Sequence, residues 1–383
     1  MAAGMKIVLA PDSFKGSLSS TEAAEAMARG VRKVLPEAEL VLLPLSDGGE
    51  GLVESLVVAS RGEVVECEVT GPLGTPVKAK LGLMGGGKTA VIEMAQASGL
   101  ILVPEEERNP LVTTTFGTGE LIAKALDLGC EHLIIGIGGS ATNDGGMGMA
   151  QALGARFLDE QGELLGSGGA ELARLAEIDV SRRDPRLDEV RIEVACDVTN
   201  PLTGPQGASH IYGPQKGATP EMVELLDAAL NRYDQILKRD LGKDVGRIPG
   251  AGAAGGLGAG LMALLGGKLV SGIELVLDVL DFEGKAEGAD LVLTGEGRFD
   301  GQSAYGKVPM GVAKRSRALD IPVVVIAGTV LPSAEVLHRE GVTAYFSILN
   351  RPLSLKEAME DAAELLEQQT AQVIRLFSAG RWN

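Results

Sequence analysis

The side chains best suited to chemistry follow an apolar run in the segment from residue 133 to residue 149. The run that begins at Leu133 leads into glycines interspersed with hydroxyl, amide and carboxylate groups, on Ser140, Thr142, Asn143 and Asp144. Because glycine has no Cβ, the backbone N–H groups of such a loop can approach a phosphate and point at it. The segment therefore predicts an anion site beside a metal or a proton-transfer group, with an elaborate turn as the alternative.

Four further apolar runs end in loops of the same kind. Glycine, hydroxyl and charged residues follow each predicted strand, in the loops Pro11–Ser17, Ser46–Gly51, Asp197–Asn200 and Gly295–Asp300. In open α/β sheets, ligands gather at the carboxyl ends of the strands. Five such loops predict an enzyme with a site for a charged small molecule.

Composition and charge narrow the class of protein. The 383 residues include 35 basic and 52 acidic side chains, which give a formal net charge of -17 and a pI of about 4.8. This charge argues against nucleic acid or an anionic membrane as the main partner, so a site for an anionic substrate must be locally basic. We find no apolar run of about 20 residues and no signal-peptide core, and we expect a cytoplasmic enzyme.

Cysteine and histidine offer little chemistry in this sequence. The three cysteines lie far apart without a C-x-x-C pair, and the three histidines lack metal-ligand spacing. We therefore expect no disulfide framework, no zinc cluster and no Ser-His-Asp triad. His210 lies in a polar loop, where a packed histidine is favoured over a catalytic one.

Strand and helix signals alternate along most of the chain. Capping boxes at Ser19–Glu22 and Ser354–Glu357 predict two helix starts. Alternating apolar residues on both sides of the turn Gly71–Pro76 predict a β-hairpin. The helix after Ser354 carries an apolar stripe that we interpret as core without a function: Leu355, Met359, Ala362, Leu366 and Val373.

The change of pattern along the chain predicts two α/β domains. Residues 1–62 and 286–383 are expected to form one discontinuous Rossmann-like or flavodoxin-like domain, and residues 63–285 a large inserted α/β domain. The active site is expected in the cleft between them. We interpret Ile248–Gly258 as a mobile or phosphate-approaching loop, and a flexible hinge is an equally good account.

Three nucleotide-binding patterns match and point in different directions. Gly82–Thr89 fits the G-x-x-x-x-G-K-[ST] phosphate loop, but its hairpin context disfavours that interpretation. Gly136–Ala141 fits the dinucleotide pattern G-x-G-x-x-A with Asp159 about 20 residues further on, and is the serious rival. Against it, Thr142–Gly146 interrupts the helix that such a site requires. Gly250–Gly255 fits G-x-G-x-x-G but follows no strand.

Several long motifs resemble those of the bacterial type-1 glycerate kinase family. The resemblance covers nearly the whole chain in order, through Ala10–Leu18, Asp47–Gly51, Ile137–Gly146, Ala195–Leu202, Gly213–Ala218, the glycine loop around Gly255, and Thr294–Arg298. The departures are small, because Phe299 and Asp300 stand where relatives vary. Four residues precede Met5, which looks like the usual start of the family.

The resemblance implies transfer of the γ-phosphoryl group of ATP to D-glycerate, most often at the 2-hydroxyl. It also implies a two-domain α/β fold unlike that of P-loop kinases. Such a transfer requires Mg²⁺ and cations to neutralise charge, a positioned acceptor hydroxyl, and a carboxylate that takes its proton. ATP, Mg²⁺ and D-glycerate are therefore the expected ligands, and a homo-oligomer is an open expectation.

Asp197 is the predicted general base. It ends an apolar strand, and Asn200 and Pro201 lie just beyond it. A carboxylate in that position can accept the proton of the acceptor hydroxyl as the phosphoryl group is transferred. An Asx cap on the following turn is the alternative.

Basic residues in glycine-rich loops are the predicted cations for the triphosphate and the glycerate carboxylate. They are Lys15, to which we also give a catalytic role, Lys216, Arg298 and Lys307. A solvated surface lysine is the alternative, above all for Lys307. The further groups expected to contact phosphate or glycerate are Asp12, Ser13, Asp47, Gly48, Gly49, Gly138, Gly139, Ser140, Thr142, Asn143, Asn200 and Glu296.

Asp144 and Glu50 are the predicted Mg²⁺ ligands, directly or through water, with Asp47 as a further candidate. Glu296 and Asp300 form a second acidic pair. Three alternatives to a glycerate 2-kinase stay open at this point. They are a kinase that phosphorylates the 3-hydroxyl, an NAD(P)-dependent dehydrogenase that uses Gly136–Ala141, and a non-catalytic sensor of phosphorylated metabolites. The carboxylates at strand ends favour catalysis over sensing.

Overall fold

The computed structural model describes residues 4–49, 51–301 and 307–379. In this part of the chain the strands are β1 Lys6–Leu9, β2 Glu39–Leu42, β3 Glu63–Thr70, β4 Pro76–Met84, β5 Thr89–Glu93, β6 His132–Gly136, β7 Arg156–Leu158, β8 Glu177–Asp179, β9 Arg191–Ala195, β10 Lys268–Val270, β11 Leu291–Thr294, β12 Arg298–Phe299, β13 Val323–Ala327, β14 Thr329–Val330 and β15 Ala344–Ser347.

The α-helices alternate with these strands. They are α1 Ser20–Arg32, α2 Leu52–Ser60, α3 Ala95–Ser98, α4 Phe116–Asp127, α5 Met147–Ala152, α6 Ala208–Tyr212, α7 Pro220–Leu241, α8 Ala253–Leu265, α9 Gly272–Val279, α10 Phe282–Ala286, α11 Val308–Ala318, α12 Leu355–Glu360 and α13 Ala362–Ala379. The predicted α/β class with parallel sheets is confirmed. Within the described ranges, no helix is both long enough and apolar enough to cross a bilayer.

Contacts between Cα atoms divide the chain into two compact units. Unit 1 comprises Met1–Asp47, Glu54–Ser60 and Ile273–Asn383, and unit 2 comprises Gly48–Val53 and Arg61–Gly272, each as far as its residues are described. The chain passes from one unit to the other between Asp47 and Gly48, inside one of the predicted strand-end loops.

Unit 1 is built on a five-stranded parallel sheet in the order β15-β13-β11-β1-β2. Counted within the unit, this is the strand order 2-1-3-4-5 of flavodoxin-like folds, in which ligands bind where the order reverses. The central strand β11 is buried at every position, as expected for a parallel strand covered on both faces. The reversal lies between β1 and β11.

The two predicted capping boxes of unit 1 are confirmed. The Ser19 hydroxyl accepts a hydrogen bond from the backbone N–H of Glu22 at the start of α1, and Ser354 and Glu357 repeat the arrangement at α12. The apolar stripe that follows Ser354 was predicted to be core, and this is wrong at its start. Leu355 is 78% exposed, because it lies on the short helix α12 and lines a cavity, whereas Ala362, Leu366 and Val373 on α13 are buried.

Unit 2 is built on a six-stranded sheet in the order β10-β9-β6-β5-β4-β3. The predicted hairpin is confirmed, since β3 pairs antiparallel with β4. The strands β5, β6, β9 and β10 are parallel, and their last residues lie level, with Gly136 opposite both Glu93 and Ala195. The loops that follow these four strands therefore leave the sheet at the same edge.

The glycine-rich stretch Ile248–Gly258 is mostly buried in unit 2 from Gly250 onwards, whereas Ile248 and Pro249 are exposed. Its second half forms the start of α8 and is mostly buried. A Cβ on Gly255 would lie 2.0 Å from the carbonyl oxygen of Thr142, and Gly145 donates a backbone hydrogen bond to Gly255. The interpretation as a mobile or phosphate-approaching loop is therefore corrected, because these glycines allow two backbone segments to pack closely.

Candidate functional site

The carboxyl end of the unit 1 sheet holds a cavity of about 500 Å³. The loops after β1, β2 and β11 contribute most of its polar lining. The structure thereby brings together seven of the predicted site residues: Asp12, Ser13, Lys15, Asp47, Glu296, Arg298 and Lys307. Both cations and carboxylates line this cavity.

Backbone hydrogen bonds hold the loops after β1 and β11 together. The N–H of Asp12 donates to the carbonyl of Gly295 at 2.9 Å, and the hydroxyl of Thr294 donates to the carbonyl of Ala10 at 2.7 Å. These strands flank the point where the strand order reverses, which is where open α/β sheets leave a crevice. The cavity therefore lies where the topology of unit 1 predicts a ligand.

Asp12 is the most perturbed carboxyl group of the cavity. Burial, together with the negative charge of Asp47, raises its pKa to about 7, although the backbone N–H of Ser13 and the charge of Lys15 act in the opposite direction. The Asp12 side chain therefore changes its protonation state near neutral pH. A bound cation would favour its ionised form.

The three cations of the cavity differ in their partners. Lys307 Nζ lies 3.1 Å from Glu296, and Arg298 Nε lies 2.9 Å from Asp300. The Arg298 side chain is nonetheless 67% exposed, and Lys15 is exposed as well. Exposed ammonium and guanidinium groups in one cavity suit a ligand that carries several negative charges.

The carboxylates of the cavity fit Mg²⁺ only together with a phosphate ligand. Within residues 4–49, 51–301 and 307–379, no three His, Cys, Asp or Glu side chains are arranged to hold a metal ion by themselves. Protein-bound Mg²⁺ commonly takes one or two carboxylates and completes its shell with water and substrate phosphates. Asp12 and Asp47, which lie close enough for the charge of Asp47 to raise the pKa of Asp12, meet that requirement.

In unit 2, Lys216 lies in the interior beside the loop after β6. Its side chain is 1% exposed, and Nζ donates to Ser140 Oγ at 2.8 Å and to the carbonyl of Thr142 at 2.6 Å. Burial lowers the pKa of Lys216 to about 7, opposed by the charge of Asp144. These contacts favour a structural role for Lys216, which holds the loop in place. They disfavour the role as a phosphate-binding cation that the sequence predicts.

Asp144 is also fully buried. Its Oδ2 accepts hydrogen bonds from the backbone N–H and the hydroxyl of Thr115 and from the N–H of Gly148, and its Oδ1 accepts from the N–H of Gly146. Burial raises the pKa of Asp144, while the donors oppose that change. With four donors around it, the carboxyl group ties the loop to the start of α4, which favours a structural role over the predicted role as a Mg²⁺ ligand.

Two other polar residues of the same loop are buried. Asn143 Nδ2 donates to Ser209 Oγ at 3.0 Å. Thr142 Oγ1 and Asn143 Oδ1 have no hydrogen-bond partner among the described residues. Gly138 and Gly139, by contrast, are exposed, so their backbone is the accessible part of this loop.

Asp197 is exposed at the end of β9. Its Oδ1 accepts hydrogen bonds from Ser271 Oγ and from the N–H of Gly272, both at 3.0 Å, where the neighbouring strand β10 ends. These two donors orient the carboxylate from the adjacent strand. Asn200 lies further along the loop, where its side chain bonds to the carbonyl of Gln206 and to the hydroxyl of Tyr212.

Gly48 and Gly49 pack against the strand ends of unit 2. Gly48 has a φ of +90°, and a Cβ there would lie 2.6 Å from the Cβ of Ala195. A Cβ on Gly138 would lie 3.1 Å from the Cα of Gly49. Glycine at residue 48 is thus needed both for its backbone conformation and for its contact. The predicted metal ligand Glu50 lies outside the described residues.

Two features of the unit 1 and unit 2 sites were not predicted. The first is Glu93, a buried carboxylate at the end of β5 that accepts from the backbone N–H of Val53 at 2.7 Å. Its position directly after the apolar run Ala90–Ile92 was a usable signal. The second is the apolar wall of the unit 1 cavity, where Leu355 and Met359 were interpreted as core.

The sequence that contains these loops matches a known family over almost its whole length. A model of the glycerate kinase family matches residues 7–378. A glycerate kinase of Bacillus subtilis (strain 168) is 54% identical over 369 residues, which cover 96% of this chain and 97% of that protein. A glycerate 2-kinase of Escherichia coli (strain K12) is 51% identical over 379 residues, which cover 99% of this chain and 100% of that protein.

The fold is similar to that of a solved structure. A crystal structure of a protein assigned as glycerate kinase 2 in Salmonella typhimurium LT2 is 53% identical, with a TM-score of 0.90, and the match covers 99% of this chain and 100% of that one. A family model over most of the chain and relatives above half identity leave no other assignment. The chain belongs to the glycerate kinase family.

Proposed function

We propose that this chain transfers the γ-phosphoryl group of ATP to the 2-hydroxyl of D-glycerate and releases 2-phosphoglycerate and ADP. One observation carries the proposal: in a chain matched to the family from residue 7 to residue 378, a cavity of unit 1 collects three cations and three carboxylates. That combination suits a polyphosphate bound with Mg²⁺. The name of the Escherichia coli relative supports the 2-hydroxyl as the acceptor.

Unit 1 is proposed to bind the triphosphate. Lys15, Arg298 and Lys307 would contact phosphate oxygens, with Lys15 stabilising the charge that develops during transfer. Ser13 would orient a phosphate oxygen. Mg²⁺, when bound with the nucleotide, would neutralise phosphate charge, and Asp12, Asp47 and Glu296 are the carboxylates of the cavity that would hold it.

Unit 2 is proposed to supply the groups that act on glycerate. Asp197 would accept the proton of the acceptor hydroxyl, since it is exposed and its carboxylate is oriented by Ser271 and Gly272. The exposed backbone at Gly138 and Gly139 offers N–H groups for an anion. Ser140, Thr142, Asn143, Asn200 and Lys216 are proposed to shape this part of the site.

Our proposal also covers the division of the fold into two domains and its relation to P-loop kinases. We infer that the two units are the two domains of a kinase unrelated to P-loop enzymes. The Gly82–Thr89 match supports this, because it runs from the end of β4 to the start of the antiparallel strand β5 and a strand, not a helix, follows it directly. A site in the cleft between the domains, a cytoplasmic location and a homo-oligomer stay predictions.

The test of this function is a coupled assay on the purified chain. ATP, Mg²⁺ and D-glycerate are supplied, ADP release is followed, and the product is passed to enolase without phosphoglycerate mutase. ADP release with an immediate enolase signal supports a glycerate 2-kinase, and ADP release without it identifies attack at the 3-hydroxyl. A parallel reaction with EDTA tests the need for Mg²⁺. Absence of glycerate-dependent ADP would overturn the proposal.

A further inference from the structure

The unit 1 cavity has an apolar wall that the proposed phosphate chemistry does not use. Its lining includes Leu349, Leu353, Leu355, Ala358 and Met359, which all lie between β15 and α13. Leu355 is 78% exposed and Leu349 is 40% exposed. When a ligand covers large aliphatic side chains that are otherwise exposed to water, the removal of their apolar surface from water favours binding.

This wall adjoins the cationic part of the cavity. A Cβ on Gly16 would lie 2.9 Å from the terminal methyl group of Met359, so α12 contacts the loop that carries Lys15. Arg298 and Lys307 line the same cavity. One ligand can therefore reach both the apolar wall and the cations.

The two halves of the lining define the chemistry of that ligand. It needs a flat or compact apolar group at one end and several negative charges at the other, and the volume of about 500 Å³ lies within the range of roughly 300–1,000 Å³ typical of small-molecule sites. Leucine and methionine side chains can pack against either face of an aromatic ring, and the polarisable thioether of methionine makes favourable contacts with such rings. A purine nucleoside triphosphate has an apolar base at one end and the negative charges of its phosphates at the other.

From this arrangement we propose that Leu355, Ala358 and Met359 form the subsite for the base of the nucleotide. The inference rests on the proposed function, because that function supplies ATP as the ligand. The inference extends the proposed function by locating the base on α12 and by placing both ends of the nucleotide in unit 1. The glycerate-binding groups of unit 2 have no part in this subsite.

The sharpest test compares ATP with inorganic tripolyphosphate, which carries the phosphates without the base. Binding of each to the full chain is measured by calorimetry in the presence of Mg²⁺. In the wild-type chain ATP should bind more tightly than tripolyphosphate. The variant Ala358→Trp, which fills the subsite, should weaken ATP binding by at least about tenfold and leave tripolyphosphate binding within about twofold.

The control is Leu376→Trp. Leu376 is 68% exposed on α13 and does not line the cavity, so this variant should leave both affinities unchanged. Unchanged tripolyphosphate binding by Ala358→Trp also shows that its cavity is folded. A direct reporter is Leu355→Trp in a Trp382→Phe background, which leaves one tryptophan in the chain. Its fluorescence should change with ATP and stay constant with tripolyphosphate.

The outcomes separate this inference from the proposed function. Wild-type glycerate kinase activity combined with normal ATP binding by Ala358→Trp would overturn the base subsite alone. Equal loss of ATP and tripolyphosphate binding would overturn it too, since the substitution would then disturb the phosphate site. A change in the sedimentation of Ala358→Trp with unaltered ATP affinity would also overturn the base subsite, because α12 would then contact a second copy of the chain.

Discussion

Unit 1 and unit 2 both place lysine and aspartate in glycine-rich loops after parallel strands, yet the two lysines differ in exposure. In unit 1, Lys15 is exposed and lines a cavity together with Asp12, which is 6% exposed. In unit 2, Lys216 is 1% exposed and Asp144 is fully buried, and protein groups occupy their polar atoms. The same residue types thus line a cavity in one unit and form part of the loop structure in the other.

The reason lies in what surrounds each charge. A buried ion needs partners that replace water, and Asp144 obtains four donors while Lys216 obtains two acceptors. Both side chains then position the backbone between Ser140 and Gly148. In unit 1 the exposed charges keep water as a partner that a ligand can displace. Exposed and buried charges therefore predict different effects of substitution.

The largest expected effect concerns the exposed carboxylate of unit 2. Asp197→Asn should lower kcat for glycerate-dependent ADP release by about 10²–10⁴-fold, because a positioned general base contributes that much. Ser271→Ala removes one of the two donors to Asp197 and should have a smaller effect. The control Asp188→Asn alters a carboxylate of the same unit that is 71% exposed, and should leave kcat unchanged. A kcat for Asp197→Asn within about tenfold of wild type would remove Asp197 as the base.

The second prediction separates a structural carboxylate from a metal ligand. Asp144→Asn should lower the free energy of unfolding by about 3 kcal/mol, because it weakens charge-assisted hydrogen bonds and leaves buried donors unpaired. Urea unfolding measures this change, and Thr115→Val, which removes one donor, should show a smaller one. An unchanged unfolding midpoint with a higher Mg²⁺ requirement for activity would instead support the metal role predicted from the sequence.

The third prediction uses the lowered pKa of Lys216. The native lysine gives up its proton near pH 7, whereas an unfolded lysine keeps it to about pH 10.5. The unfolded chain then binds more protons, so this group makes stability rise with pH, by about 1.4 kcal/mol per unit once the native lysine is neutral. The wild-type chain should therefore gain stability relative to Lys216→Met between pH 8 and pH 10.

Denaturant unfolding at several pH values checks this slope. Lys238→Met is the matched control, since the Lys238 side chain is 62% exposed and should contribute no comparable difference. Parallel curves for the wild-type chain and Lys216→Met would show that Lys216 keeps its charge in the folded state. Its role as a cation in the site would then regain support.

The last prediction has a pH dependence of the opposite sign and concerns unit 1. The pKa of Asp12 is raised to about 7, so the native carboxyl holds its proton above the pH at which an unfolded aspartate loses it. The native state then binds more protons, and the contribution of Asp12 to stability falls as pH rises from about 4 to 7. Asp12→Asn, measured without Mg²⁺, should gain stability relative to the wild-type chain over this range. No relative gain would show that Asp12 is already ionised.

Local features of the fold were predictable because neighbouring residues decide them. The capping boxes at Ser19 and Ser354 and the hairpin around Gly71–Pro76 depend on groups a few residues apart, and the structure confirms all three. The α/β class follows from the alternation of such elements. The stripe after Ser354 was misjudged, because helical spacing alone does not distinguish a side that packs on the core from one that borders a cavity.

The family could be recognised from the sequence through long motifs that keep their residue types in order, and the alternation of apolar and polar runs placed polar loops after apolar strands. Which of those polar groups are accessible could be read only from the folded chain. Lys216 meets Ser140 across 76 positions of the chain, and Asp144 meets Thr115 across 29. The physical reason is that burial and distant partners determine whether a charge is solvated, and the packing of the whole unit determines both.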